Sequence, residues 1–374
     1  MKIQYLPTVS QELLLKAALS QGEEAVLSWE EWKKRENIDK IEDASYRLFP
    51  LAYHNLQKQG AKDPLLEKLK GVYRRTWYRN HLLFSRVHQV LEAFQRQQIP
   101  MLILKGVPLV LFYYQDHGLR PMNDFDILVP KNKIPLACDL LFELGWKVKD
   151  ETLERYLSLY HCVPFVNSEG LEIDLHQSML QLSPQNTADE DFWKEAAFVK
   201  IGNANACILQ PTDTLFHVCA HGATWEKLHL IRWVADAMMI LKVSYAQMDW
   251  QRLIYIAQKQ ESLLAMRDTL GYLSQVFHAP IPSDILEELH RRPAGMIERI
   301  VYYIGTSEKR MHLGFLFKCW YIHSRQFQET PLYKRLCHFP VYMQKILKIP
   351  HLWQVPFVIA WKALRRIYLA MMSK

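Results

Sequence analysis

The sequence predicts an α+β protein, predominantly helical, with a small mixed-sheet core between two helical flanks. Three observations carry this. Glycine is scarce, 13 of 374 residues, where average usage of roughly 7% would give about 26; collagen-like chains, propellers and Gly-rich sandwiches are disfavoured. Over most of the chain, apolar residues recur at three- and four-residue spacing, the helical period. Between residues 96 and 210 that period gives way to short apolar runs and strict alternation, the strand period. With 49% apolar, 12% aromatic and 23% charged residues, the chain buries a sizeable core and is not disordered.

Residues 1–95 form the N-terminal helical region. Leu13, Leu14 and Leu15 open an apolar stretch, Leu48, Leu51, Ala52 and Leu56 a second, and Leu65, Leu66 and Leu69 a third. A long helix is predicted over 73–98, with Leu83, Val87, Val90, Leu91 and Phe94 on one stripe and Pro100 beyond its end. No chemistry is legible here; structural support and a substrate lid both fit. In the α/β core, 96–210, Met101–Leu104 is a short strand, followed by Lys105-Gly106 and a helical pattern through Tyr114. Asp124–Val129 alternates as a strand, Ile134–Leu144 is helical and Trp146–Val148 is a short strand. Val163–Val166 and Leu171–Leu175 make a hairpin across Asn167-Ser168-Glu169-Gly170. Residues 211–374 are a C-terminal helical region with a basic tail, punctuated by Pro280, Pro282 and Pro293.

Charge is unevenly distributed. Eight Lys/Arg and no acid lie between Thr330 and Lys374, more than the whole net charge of +7. The rest of the chain is close to neutral, so no nucleic-acid partner is expected. Six cysteines, at 138, 162, 207, 219, 319 and 337, show neither CxxC nor zinc spacing, the pattern of reduced thiols in a cytoplasmic protein. The opening MKIQYLPTVSQELL lacks the apolar core of a signal peptide. Val355–Trp361 falls far short of the ~20 residues of a membrane span.

The chemistry concentrates in LKGVPLVLFYYQDHGLRPMNDFDILVP, residues 104–130. Asp124 and Asp126 are two apart on a strand, hence on one face, with Cα atoms about 6.6 Å apart. Two carboxylates ~4 Å apart repel by roughly 4 kcal/mol at an effective dielectric near 20. A divalent cation between them removes that penalty, and all-oxygen ligands suit magnesium or manganese. On this reading Asp126→Asn relieves repulsion in the metal-free protein. A solvated turn is the plain alternative, but Phe125, Ile127, Leu128 and Val129 make the strand apolar and central. In Leu171–His176 the alternation is strict: Glu172, Asp174 and His176 share one face, Leu171, Ile173 and Leu175 the other. Beside the first strand, Asp174 completes a three-carboxylate cluster able to hold metals that bridge phosphates and to help deprotonate an attacking hydroxyl. His176 by itself reads as a satisfied strand histidine.

Lys105-Gly106 ends a strand and opens a helix, a place for close backbone approach to an anion, with Lys105 as a point charge for phosphate. Arg120 is a further phosphate cation or, plainly, a loop partner of Asp116. His217 and His221 are four apart on a helix, but without Glu at 218 this is no HExxH zinc motif. Arg232 and Asp236 are also four apart, the spacing of an intrahelical ion pair. A protein kinase is a poor third reading, since the DFD lacks the glycine of DFG and no HRD loop precedes it.

Taken together, a glycine at a strand–helix turn, DxD on a strand and a further Asp on a later strand resemble the DNA polymerase β-like nucleotidyltransferase superfamily. More narrowly, LKGVPLVLFYY, GLRPMNDFDILV, EIDLHQSML, HVCAHG and IRWVADAMMIL resemble the bacterial uncharacterised nucleotidyltransferase family over residues 95–260. The resemblance implies a nucleotidyltransferase-type sheet. It also implies magnesium-dependent transfer of a nucleoside monophosphate from an NTP, ATP in the first instance, to an acceptor hydroxyl, with release of pyrophosphate. It assigns Asp124 and Asp126 to the metal-binding DxD, Asp174 to the third carboxylate and Gly106 to the phosphate turn. Many superfamily members carry Gly-Ser or Gly-Gly at that turn; here Val107 follows, so triphosphate contacts fall to backbone amides, Lys105 or Arg120. The helix of Arg232 and Asp236 is expected to line the nucleotide cleft, with His221 and Asp236 at its wall. The acceptor, a small molecule or peptide, is not legible. A non-catalytic nucleotide-binding or scaffold protein on the same fold is the competing class.

The tail offers a separate signal. Trp353, Phe357 and Trp361 recur at four-residue spacing within Lys/Arg-rich sequence, and a full amphipathic helix is predicted over 357–372. Either its aromatic face packs on the body, or it lies on an anionic membrane surface or acidic partner.

Overall fold

In the computed structural model, described for residues 6–180, 189–223, 231–306, 312–327 and 330–372, helices dominate and one seven-stranded mixed sheet sits among them. The strands are β1 (Leu102–Leu104), β2 (Asp124–Leu128), β3 (Lys147–Val148), β4 (Cys162–Val166), β5 (Glu172–His176), β6 (Ala197–Ile201) and β7 (Ala204–Ile208). Their order is β3-β4-β5-β2-β1-β7-β6. β2 pairs parallel with β5 and β1 parallel with β7, and the other neighbours are antiparallel. The α+β class with a helical majority is as the composition and periodicity predict.

Strand alternation gives the sheet two different faces. Ile103, Phe125, Ile127, Ile173 and Leu175 point to one side and pack, fully buried, with Val87, Leu91 and Phe94 of the Leu66–Arg96 helix and Leu141 of the Ile134–Glu143 helix. Leu102, Leu104 and Leu128 belong to the other side, where a second core joins the helices before the sheet to those that follow it. Leu14, Trp29 and Leu56 of the Val9–Leu19, Glu23–Arg35 and Phe49–Lys58 helices there meet Phe216, Ile240 and Leu270 of the Pro211–Gly222, Arg232–Ser244 and Leu263–Phe277 helices. Asp124, Asp126 and Asp174 lie on this second face by the same alternation.

The hairpin across Asn167–Gly170 forms as predicted, with Asn167 Oδ1 accepting from the amides of Glu169 and Leu171. A second hairpin, β6–β7, turns at Gly202-Asn203, with Gly202 at φ 62°. Its alternating AFVKI and ANACI arms around a Gly-Asn turn carried a legible hairpin signal that the sequence reading did not use. A satellite core of Leu159, Cys319, Ile322, Tyr342, Met343 and Val355 anchors the C-terminal helices. The last helix, Gln354–Met372, begins slightly before the predicted start, with Pro356 in its first turn, where the missing N–H costs nothing. All six cysteines are free. Among the described residues no helix is long and apolar enough to cross a membrane.

A carboxylate and imidazole cleft as candidate active site

The site begins where β1 stops. Leu104, the last residue of β1, pairs with Asp126 of β2, so the next residue, Lys105, is delivered beside the carboxylates. Lys105 has φ 49° and ψ −110°, a sparsely populated conformation for a side-chain-bearing residue, worth of order 1–3 kcal/mol of strain. The positive φ of this turn falls on Lys105, not on the glycine. Gly106 is needed for space: a Cβ there would meet Met122 Sδ at 2.8 Å and an Arg120 guanidinium nitrogen at 3.2 Å. The single helical turn Gly106–Pro108 then runs into a π-helical stretch, Leu109–Tyr114.

β2 and β5 run parallel and in register, Asp124 opposite Glu172, Asp126 opposite Asp174 and Leu128 opposite His176. Register partners share a sheet face, so the predicted convergence of Asp124, Asp126 and Asp174 is what the backbone provides, and all three line one cleft. Among the described residues, the predicted trio is not one of the groups whose ligand atoms all lie within 4.8 Å of one another. Asp126, Asp174 and His176 each bring a ligand atom within 4.8 Å of the others, while Asp124 lines the cleft outside that group.

Asp126, only 1% exposed, is the most contacted. Its Oδ1 accepts from Lys105 Nζ at 2.7 Å and lies 2.9 Å from His176 Nε2. Burial opposes the Asp126 charge, but the Lys105 ammonium and the His176 hydrogen bond outweigh it and hold this carboxyl well below the usual range. Burial likewise opposes the Lys105 charge, and Asp126 and Asp124 still hold its ammonium above the ordinary lysine value. Asp174 goes the other way: burial, then the charges of Asp126 and Asp124, push it up to about 7. Asp124 is raised by burial and by Asp126. One deeply ionised carboxylate thus stands between two that resist ionisation, a separation of neighbouring titrations characteristic of functional sites.

The facing wall comes from the C-terminal helices. Arg120, nearly fully buried, donates from Nε to Asp236 Oδ1 at 2.7 Å and from an Nη to Oδ2 at 2.8 Å, and the Tyr114 hydroxyl donates to Asp236 Oδ1 at 2.8 Å. Asn80 Nδ2 fixes the same loop through the carbonyls of His117 and Arg120. The Asp116 pairing read for Arg120 is therefore corrected. Asp116 accepts from the Tyr73 hydroxyl instead, because the loop turns Arg120 inward toward a partner 116 residues away. The Arg232–Asp236 ion pair is loose, 4.0 Å, and Arg232 donates to the Pro121 carbonyl at 2.8 Å. Burial and the adjacent Arg120 lower Arg232 to about 10.

His217 and His221 project from the Pro211–Gly222 helix into the same cleft, their rings 6.3 Å apart and edge to face. Burial, then Lys105, lowers His217 to about 3 and holds His221 well below the ordinary histidine value, so both rings are neutral. The cleft, about 280 Å³, has an acidic floor of Asp124, Asp126 and Asp174 and a cationic rim of Arg47, Lys105, Arg120 and Arg232. Lys105, Gly106, Arg120, His221 and Asp236 all line it. The sequence reading did not place Arg47, Asn123, His217 or Arg232 there. Arg232 had a signal in its spacing from Asp236. Arg47, in the N-terminal helical region, had none.

Carboxylates on adjacent central strands, a lysine at a strand–helix turn and a cationic far wall make an arrangement chemically suited to holding phosphates. A family model described as Uncharacterised nucleotidyltransferase matches residues 44–278, more than half of the chain and every residue of the cleft. The chain belongs to that nucleotidyltransferase family. No curated protein matches it.

Proposed function

We propose that this cleft transfers a nucleoside monophosphate from an NTP, ATP being the first donor to test, to a hydroxyl of a small-molecule or peptide acceptor, with release of pyrophosphate. The observation that carries this reading is the in-register pairing of Asp126 with Asp174, beside Asp124, on the floor of a cationic-rimmed cleft. The donor set fits a hard divalent cation, Mg²⁺ or Mn²⁺, because it offers carboxylate oxygens on one sheet face. Asp124, Asp126 and Asp174 would hold it, and when bound it supplies charge neutralisation on the phosphates. Arg232 and Arg47, which line the cleft, would receive the outer phosphates, and Lys105 and the amides after Gly106 the inner ones. Asp174 helps to take the acceptor's proton as the acceptor oxygen attacks the α-phosphorus and the bond to the β-phosphate oxygen breaks.

A second reading is favoured by one contact. The Lys105 ammonium already sits on Asp126 Oδ1, as a resident cation would in a protein that binds nucleotide without turning it over. One experiment separates the two: the protein with ATP, Mg²⁺ and a metabolite extract, followed by mass spectrometry and pyrophosphate release, with Asp126→Asn as control. Acceptor masses raised by one nucleoside monophosphate, absent in the control, support transfer. A nucleotide-dependent rise in Tm, worth about 2.7 kcal/mol at a hundredfold excess over Kd, with neither mass shift nor pyrophosphate, assigns the scaffold role.

For the tail we infer contact with an anionic bilayer surface. Trp353, Phe357 and Trp361 are 65%, 66% and 57% exposed, while Val355 and Ile359 on the opposite side of the helix pack onto the body. The reading in which the aromatic face packs is corrected: the helix anchors through its aliphatic side and leaves the aromatics outward.

A further inference from the structure

We propose a second metal site, distinct in chemistry from the carboxylate floor: His161, Cys162 and His176 bind a borderline divalent ion of the Zn²⁺ type. Each of the three offers a ligand atom within 4.8 Å of the other two. Cys162 and His176 are direct cross-strand partners at the ends of β4 and β5, and the His161 and His176 rings lie 5.2 Å apart. The His161 backbone is fixed, its carbonyl accepting from the Gln177 amide at 2.8 Å.

The tautomer of His176 makes this more than a cluster. Nε2 sits 2.9 Å from the ionised Asp126 Oδ1, which only accepts, so Nε2 carries the proton and Nδ1 carries a lone pair. That Nδ1 is buried and has no hydrogen-bond partner, and the same holds for Nδ1 of His161. Two buried imidazole nitrogens without partners are costly as they stand, and a cation held by these two histidines and the neighbouring Cys162 thiol would relieve that cost. Two nitrogens and a sulfur select zinc-like ions over magnesium. A carboxylate holding the other nitrogen of a ligating histidine is the usual outer partner of such sites. Bond lengths of about 2.0–2.3 Å place tetrahedral ligands roughly 3.5 Å apart, so the three atoms, now within 4.8 Å of one another, draw together when the ion binds. Access is provided by a cleft of about 290 Å³ lined by Tyr160, His161, Gln177 and Ser178, from which water supplies a fourth ligand. As the metal–sulfur bond forms, the Cys162 thiol proton leaves to solvent.

Co²⁺ is the probe, added to the full-length chain after chelator treatment, and the readout is optical, independent of any transfer activity. One equivalent is expected to give a thiolate-to-cobalt charge-transfer band and release of one proton; Zn²⁺ then erases the band with no further net change in protons, because the thiolate passes from one metal to the other. Cys162→Ser, with melting and circular dichroism showing it folded, loses the band. Asp124→Asn keeps it, separating this site from the carboxylate floor. Asp126→Asn weakens Co²⁺ binding by about 10–100-fold, as loss of an outer partner does. If Cys162→Ser fails to fold, His161→Ala at the cleft rim takes its place and must weaken binding at least as much. No charge-transfer band in the wild-type protein, or a band that survives Cys162→Ser, overturns the proposal.

Discussion

Asp126 and Asp174 face each other across one strand pairing, yet substitution should move them in opposite directions. From spacing alone, Asp126→Asn relieves repulsion. The structure reverses that expectation, because Asp126 Oδ1 is the shared acceptor of Lys105 and His176. Losing its charge leaves a mostly buried ammonium without its counter-ion, so metal-free Asp126→Asn is expected to lose about 2 kcal/mol, read from denaturant midpoints. A variant as stable as wild type would mean that the Lys105 contact contributes nothing. Asp174 carries the repulsion. Its folded value of about 7 lies above the ordinary 3.8, so the native carboxyl keeps a proton that the unfolded one has lost. Its stabilising contribution is therefore complete below about 3.8, declines as pH rises and is gone above about 7. Metal-free Asp174→Asn should show a flatter profile of Tm against pH than wild type, with its relative gain largest on the alkaline side. Parallel profiles would remove Asp174 as the group under strain.

At the scale of elements, legibility followed the range of the interaction. The strands of Asp124–Leu128 and Glu172–His176 were readable with their faces correctly assigned, because a period of two is a local property and apolar residues mark one side. Their adjacency was a conjecture that the register supplies. What was not readable was partner choice over distance. Arg120 had a nearby acid in Asp116, and nothing in the sequence revealed that the loop would aim it at Asp236. Nor did Lys-Gly reveal which residue would take the positive φ. Through the Arg120–Asp236 pair, the loop after Tyr114 is clamped to the Arg232–Ser244 helix, and one wall of the cleft is clamped to the other. Breaking one side leaves a buried charge, so Arg120→Met should cost about 3–5 kcal/mol. Replacing both partners, Arg120→Met with Asp236→Leu, should recover much of that, since an apolar pair of similar volume often matches a buried ion pair. A double-mutant cycle by denaturant unfolding measures the coupling, and simple additivity of the two losses would show the clamp to be energetically idle.

Across the whole molecule, the helices before the sheet and those after it share one core, so residues from both helical flanks line the cleft. The tail departs from this arrangement. From Thr330 onward it has eight cations and no acid; Trp353 just before its last helix and Phe357, Trp361 and Leu364 along one side of that helix are exposed to solvent. Such a stripe is costly in water and matched to a headgroup boundary, where tryptophan rings settle and basic neighbours each add on the order of 1 kcal/mol against anionic lipid. Arg365 lies over the Trp361 ring at 5.4 Å, holding cation and aromatic together at the same edge. The full chain should therefore co-sediment with phosphatidylserine-containing vesicles at low salt and come off as salt is raised. Truncation after Pro350 should abolish that binding while shifting Tm little, because the lost packing is mainly that of Val355 and Ile359. A large fall in Tm on truncation would restore the tail to the structural core. Indifference to vesicles, with retained binding to an acidic polypeptide, would transfer the surface to a protein partner and end the bilayer assignment.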